Sequence, residues 1–223
     1  MLKVIAFDWD DVITLGAKDG YTRCYHETLQ ELGVILKPKE EKARIMARWS
    51  EPHREKFGKL LKENPTLLDK ACRIYEEKLL GDTFVKNLSL VSGVNKLLER
   101  LSKKYILCVA TGQHPYLLKN KVIPKFSIPN VFSQIVSSYE INDPDKHKPH
   151  PHILNLIMEK QKVLPEEMIF VGDAKGDVQA ARAAGVEPVV VLTGHLTKSQ
   201  AEELGVRHII QDVTKLEAVL PKI

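Results

Sequence analysis

The sequence predicts an α/β protein: a doubly wound parallel sheet with a helical domain inserted early in it. Three observations carry this. The chain opens on an apolar run, Leu2, Val4, Ile5, Ala6 and Phe7, that ends in two acids one residue apart, Asp8 and Asp10. From Val91 onward, apolar strand-like runs alternate with helical segments, the pattern of a parallel sheet. Between residues 19 and 80 the pattern is helical, polar and rich in Lys and Glu, with no obvious strand.

The elements follow in order. The opening run reads as a buried strand. Leu29, Leu32 and Ile35 close a first amphipathic helix, and Pro38 breaks it. Residues 39–49 form a second helix, ended near Pro52. Residues 53–62 form a third, and Pro65 starts a fourth that runs to Leu80, with Ala71, Ile74, Tyr75 and Lys78 at helical spacing. Residues 93–103 are amphipathic through Val94, Leu97, Leu98 and Leu101. Strands are predicted at 105–110, 134–138, 168–171, 189–192 and 208–210. Helices are predicted at 151–161, 177–184, 198–204 and 213–220. The expected division is an α/β core of residues 1–14 and 90–223 and a helical insertion of residues 15–89.

Composition bounds the function. The 223 residues suffice for one ordinary core and a small appended domain. Hydrophobic content of 43% and charged content of 28% belong to a soluble globular protein. The net charge of +4 comes from charges mixed along the chain, with no basic block, so nucleic acid is not an expected partner. No apolar run reaches the ~18 residues of a membrane span. The N-terminus shows no charged leader or cleavage site, and a cytoplasmic protein is expected. Cys24, Cys72 and Cys108 are an odd, widely spaced set without a CxxC pair, so no disulfide framework is expected. Cys108 lies in an apolar run and reads as core.

The polar residues cluster at strand ends. Predicted strands end at Asp8, at Thr111-Gly112 and at Gly172-Asp173, and in a parallel sheet those ends share one edge. Lys148 lies in the loop HKPHP between two such units, and Asp177 follows Asp173 by four at a helix start. Taken singly, each has an ordinary structural explanation: a turn, a helix cap, a surface lysine. Taken as an ordered set, carboxylates, a hydroxyl and a lysine on one edge suit a divalent cation and a phosphoryl group.

These motifs resemble the haloacid dehalogenase superfamily. Its first motif corresponds to Asp8-Trp9-Asp10-Asp11-Val12, its second to Thr111 after YILCVA, its third to Lys148 in KPHP, and its fourth to Gly172 through Asp177. The segments SGVNKLLERL, IFVGDAKGDVQAARAAGV and VVVLTG look most like the phosphoglycolate-phosphatase-like branch, which has a Rossmann-like core. That branch inserts a helical cap where this chain has its helical segment.

The resemblance implies a phosphatase acting on a small phosphorylated metabolite. Asp8 would be the nucleophile and Asp10 the acid and base. Mg²⁺ would bind Asp8, the backbone carbonyl of Asp10, and Asp173. Thr111 and the N–H of Gly112 would hold phosphoryl oxygens, Lys148 would neutralise nucleophile and phosphate, and Asp177 would orient Lys148 or a metal-bound water. Asp10 favours phosphate esters, because the superfamily's dehalogenases and phosphonatases lack this second acid. Two positions depart from the usual pattern: Asp11 stands where Gly is common, and Gly112 where Asn is common. Substrate selection would fall to cap residues, with Tyr21, Arg23, His26, Arg48, Trp49, His53 and Arg54 as candidates; taken singly, the ordinary reading of each is a packed or solvated side chain. A sugar phosphomutase is the nearest alternative. A non-catalytic binding protein on the same fold is a more distant one.

Overall fold

A computed structural model describes residues 1–46 and 52–222. The chain divides into two compact units, Met1–Leu15 with Ser89–Ile223, and Gly16–Leu88.

The first unit is built on a six-stranded sheet. Its strands are β1 (Val4–Phe7), β4 (Ile106–Thr111), β5 (Phe132–Ser137), β6 (Met168–Gly172), β7 (Glu187–Val191) and β8 (His208–Ile210), in the spatial order β5-β4-β1-β6-β7-β8. Every neighbouring pair is parallel. A separate antiparallel pair, β2 (Thr14–Leu15) with β3 (Ser89–Leu90), was not foreseen in the sequence. All four residues of β1 are buried, as expected for a central strand covered on both faces. Val4 and Ala6 pack with Cys108, Ala110 and Phe170 against Ile153, Leu154 and Ile157 of helix His152–Gln161 and Ala180 and Ala181 of helix Lys175–Ala183. Cys108 is thus a core residue, and burial pushes its thiol up to about 12.

The strand order reverses around β1. The chain steps outward from β1 to β4 and β5, then returns to β6 on the other side of β1. Such a reversal opens a crevice beyond the C-terminal strand ends, where ligands bind in open α/β sheets. The register Phe7↔Val109 and Phe7↔Val171 brings the ends of β4, β1 and β6 level.

Three expectations need correction. The stretch 115–125 was not foreseen as helical, yet it forms the pieces Pro115–Leu117, Leu118–Val122 and Ile123–Lys125. The segment 213–220 is a 3₁₀ turn at Val213–Ala218 instead of an α-helix. In the second unit, the first helix stops at Glu31 instead of continuing to Ile35. Gly33 at φ 69 turns the chain away, and Ile35 is 93% exposed.

The second unit contains helices Ala17–Glu31, Pro38–Met46, His53–Leu60, Leu68–Leu80 and Thr83–Lys86. Its centre is aromatic: the Tyr25 ring lies 4.9 Å from Phe57 and 4.5 Å from Tyr75, and Tyr21 lies 4.5 Å from Phe84. Ring pairs at these separations add to the burial of their apolar area. Among the described residues, no helix is long and apolar enough to cross a membrane.

Candidate active site

Asp8 follows the last residue of β1, and its N–H donates to the Val171 carbonyl of β6 at 2.8 Å. Asp8 is buried, as are Thr111 and Asp173. The chain then turns sharply, with the Ile13 N–H donating to the Trp9 carbonyl at 2.9 Å. Asp10 and Asp11 occupy this turn. Trp9 is fully buried and meets Phe132 edge-on at 6.0 Å, which anchors the turn to the sheet.

The turn accounts for the unusual Asp11. Its φ is 57°, in the left-handed region that favours glycine. Aspartate is among the few other residues that visit this region routinely. Its carbonyl accepts from Thr193 Oγ1 at 2.5 Å.

Lys148 joins the carboxylates. Its ammonium lies 2.7 Å from Asp177 Oδ1 and 3.0 Å from Asp8 Oδ1, and 14% of its side chain is exposed. Burial alone would pull its pKa down, but Asp177 and Asp8 together hold it above the usual lysine range. Asp8 Oδ1 is buried against that ammonium. Asp177 is fully engaged. Oδ1 takes Lys148, while Oδ2 accepts from the N–H groups of Asp173 (3.2 Å) and Ala174 (3.0 Å) at the start of helix Lys175–Ala183. A Cβ on Gly172 would fall 2.5 Å from Asp177 Cβ, so glycine is required for this approach.

Asp173 is also held by the loop that begins in the VVVLTG segment, a contact that the sequence does not reveal. The His195 N–H donates to Asp173 Oδ2 at 2.8 Å, and the Leu196 N–H donates to the Asp173 carbonyl at 2.9 Å. A Cβ on Gly194 would lie 1.9 Å from Asp173 Oδ2, so only glycine lets the loop pass.

The electrostatics call for a cation. Oxygens of Asp8, Asp173 and Asp177 lie within 4.8 Å of one another. Burial, with Asp177 and Asp8 adding to it, pushes the Asp173 carboxyl up to about 9. Burial raises Asp8 to about 6, against the pull of Lys148. One ammonium does not balance three buried acids, and hard carboxylate oxygens suit Mg²⁺. The donor set of closely spaced carboxylate oxygens fits a divalent ion. Asp11, Asp173 and His195 also bring ligand atoms within 4.8 Å of one another.

Thr111 ends β4, is 1% exposed, and its Oγ1 accepts from the Gln113 N–H at 3.0 Å. Gly112 has open space where a side chain would project. Gln113 was missed in the sequence. It is fully buried, and its Nε2 donates to Asp10 Oδ1 at 2.6 Å. No motif flags it, since the contact joins residues 103 apart in sequence.

The candidates in the second unit have partners there. Tyr21 packs on Phe84, Arg23 bonds Glu27 at 2.7 Å, and His26 bonds Glu41 at 2.8 Å. His53 stacks on Tyr75 and lies 3.2 Å from Glu76, and Arg54 bonds Asp69 at 2.7 Å. Arg48 and Trp49 lie outside the described residues.

Comparison with known proteins agrees with this architecture. Residues 5–191 match the family model for haloacid dehalogenase-like hydrolases. A phosphoglycolate phosphatase of Salmonella choleraesuis is 34% identical over 110 residues, which span 46% of this chain and 42% of that protein. The match therefore covers less than half the length of that relative. Among solved structures, a haloacid dehalogenase-like hydrolase from Streptococcus pneumoniae superposes with a TM-score of 0.77 at 21% identity, covering 97% of both chains. A candidate β-phosphoglucomutase from Thermotoga maritima gives 0.77 at 22% identity over 100% of both chains. The chain belongs to the family of haloacid dehalogenase-like hydrolases.

Proposed function

We propose that this protein is a Mg²⁺-dependent phosphatase for a small phosphorylated metabolite, phosphoglycolate-like or sugar-phosphate-like, that works through an aspartyl-phosphate on Asp8. The observation that carries the reading is the Asp8 carboxylate. It is buried at the sheet edge, 3.0 Å from the Lys148 ammonium, and Asp10 stands two residues away. The phosphoglycolate phosphatase relative supports the reaction class.

A divalent ion held by Asp8, Asp173 and the Asp10 carbonyl would supply the positive charge that lets an anionic nucleophile approach an anionic ester. The chain's own groups do the rest. Lys148 holds Asp8 and offsets phosphoryl charge. The Thr111 hydroxyl and the Gly112 N–H bind phosphoryl oxygens. Asp8 attacks phosphorus while Asp10 gives a proton to the departing alkoxide. Asp10 then takes a proton from water as that water attacks the phosphoryl group and releases Asp8. Asp177 keeps Lys148 in place through the 2.7 Å bond.

A screen over phosphate esters, with and without Mg²⁺, tests the reading. Metal-dependent release of inorganic phosphate is expected, with turnover abolished in Asp8→Asn. Equal turnover by Asp8→Asn would overturn the nucleophile assignment. A candidate phosphomutase shares the fold, so product analysis is part of the screen: isomerised sugar phosphate without net phosphate release would favour a mutase.

A further inference from the structure

We propose that Gln113 is a positioning residue that holds the Asp10 carboxyl in its proton-transferring pose. The inference rests on the reading of Asp10 as the acid and base of the reaction. Asp10 lies in the turn after β1, beyond the strand, and is only partly buried. Gln113 reaches it from the end of the neighbouring strand, with Nε2 2.6 Å from Asp10 Oδ1.

The Gln113 backbone is itself clamped. Its N–H donates to Thr111 Oγ1 at 3.0 Å, and its carbonyl accepts from Ser137 Oγ at 2.7 Å. Ser137 ends β5, and its Oγ also accepts from the Tyr139 N–H at 3.2 Å. The ends of three adjacent strands, β5, β4 and β1, are thereby linked through one buried residue, by its backbone to β5 and by its side chain to the turn after β1. A fully buried glutamine with its backbone pinned at both ends has little freedom left, so it can transmit the position of the sheet edge to Asp10.

The choice of an amide has a chemical reason. In the proposed reaction Asp10 first gives up a proton and later accepts one. An amide can donate to the carboxylate through its N–H and, when turned over, accept from the carboxylic acid through its oxygen. Gln113 Oε1 is buried with no hydrogen-bond partner among the described residues, so that acceptor is not committed elsewhere. Lysine or arginine at this position would serve only the ionised form.

The test compares leaving groups. An alkyl ester such as phosphoglycolate needs its departing oxygen protonated, whereas p-nitrophenyl phosphate departs as a stable phenolate. Gln113→Met keeps the length of the side chain and removes the donor. Its kcat/KM for phosphoglycolate should fall by about 10–100-fold, the scale of a misplaced catalytic group. Its kcat/KM for p-nitrophenyl phosphate should change by less than about threefold by the same reasoning. Gln113→Asn retains the amide but falls one methylene short, and should give the same pattern. Equal losses on both esters, or no loss on either, would overturn the proposal. A wild-type protein inactive on these two and on every other phosphate ester of the screen would sink the phosphatase reading instead. The crystal structure of Gln113→Met decides the inference in that case: a displaced or multiply oriented Asp10 supports it, and an unmoved Asp10 refutes it.

Discussion

Replacing Lys148 by methionine should expose how far the site depends on charge balance. The ammonium sits between Asp177, at 2.7 Å, and Asp8, at 3.0 Å, and the three side chains are 14%, 4% and 12% exposed. At this burial the interaction is little screened by water. Removing one partner of a buried ion pair costs about 3–5 kcal/mol, because the other charge is stranded. The loss should depend on pH. Asp8 and Asp173, raised to about 6 and about 9, keep protons in the folded chain that the unfolded chain has already released. Stability therefore falls as pH climbs from about 4 through those values. At pH 5 both acids are still protonated, so less charge is stranded when Lys148 is lost. Urea unfolding in EDTA should show a loss of about 3–5 kcal/mol at pH 8 for Lys148→Met, and a loss at least ~1 kcal/mol smaller at pH 5. A loss below about 1 kcal/mol at pH 8, or equal losses at the two pH values, would refute the charge-balance reasoning.

Three further outcomes are expected. In the wild-type protein, Mg²⁺ should raise the melting temperature more at pH 8 than at pH 5, because the ion competes with the protons on Asp8 and Asp173; thermal melts with and without EDTA would show it. Gly194→Ala puts a Cβ 1.9 Å from Asp173 Oδ2, so that carboxylate must move, and calorimetric titration should find Mg²⁺ bound at least about 10-fold more weakly. Asp11→Gly suits the left-handed φ of 57° and should change unfolding stability by no more than ~1 kcal/mol; a larger loss would show that the Asp11 side chain itself supports the turn.

The sheet was legible because its central strands are continuous apolar runs. The segments VIAF, ILCVAT and MIFVG each lead into or end on a polar site residue: Asp8, Thr111 and Asp173. Short parallel strands covered by helices leave that signature in any one sequence. What stayed hidden depends on distant contacts. Gln113 reads as an ordinary turn residue until β1 and β4 lie side by side and bring it to Asp10. The end of VVVLTG carries a family resemblance in the sequence, but the role of the Thr193–Leu196 loop emerges only where it closes on Asp173 and Asp11. Ile35 misled in the other direction. Its spacing fits the apolar face of the first helix, but Gly33 ends the helical path before that face can bury it. Asp11 stands where glycine is common because its backbone adopts the left-handed angle that glycine favours, which a sequence does not display.

The central claim is that Asp8 carries the phosphoryl group. The most direct measurement is acid quenching of the enzyme during turnover of its best phosphate ester, followed by mass spectrometry of the peptide containing Asp8. The account predicts a transient mass gain of one phosphoryl group on Asp8 that disappears as substrate is consumed. Steady turnover with that peptide unmodified at every quench time, or the phosphoryl group found on another residue, would contradict it.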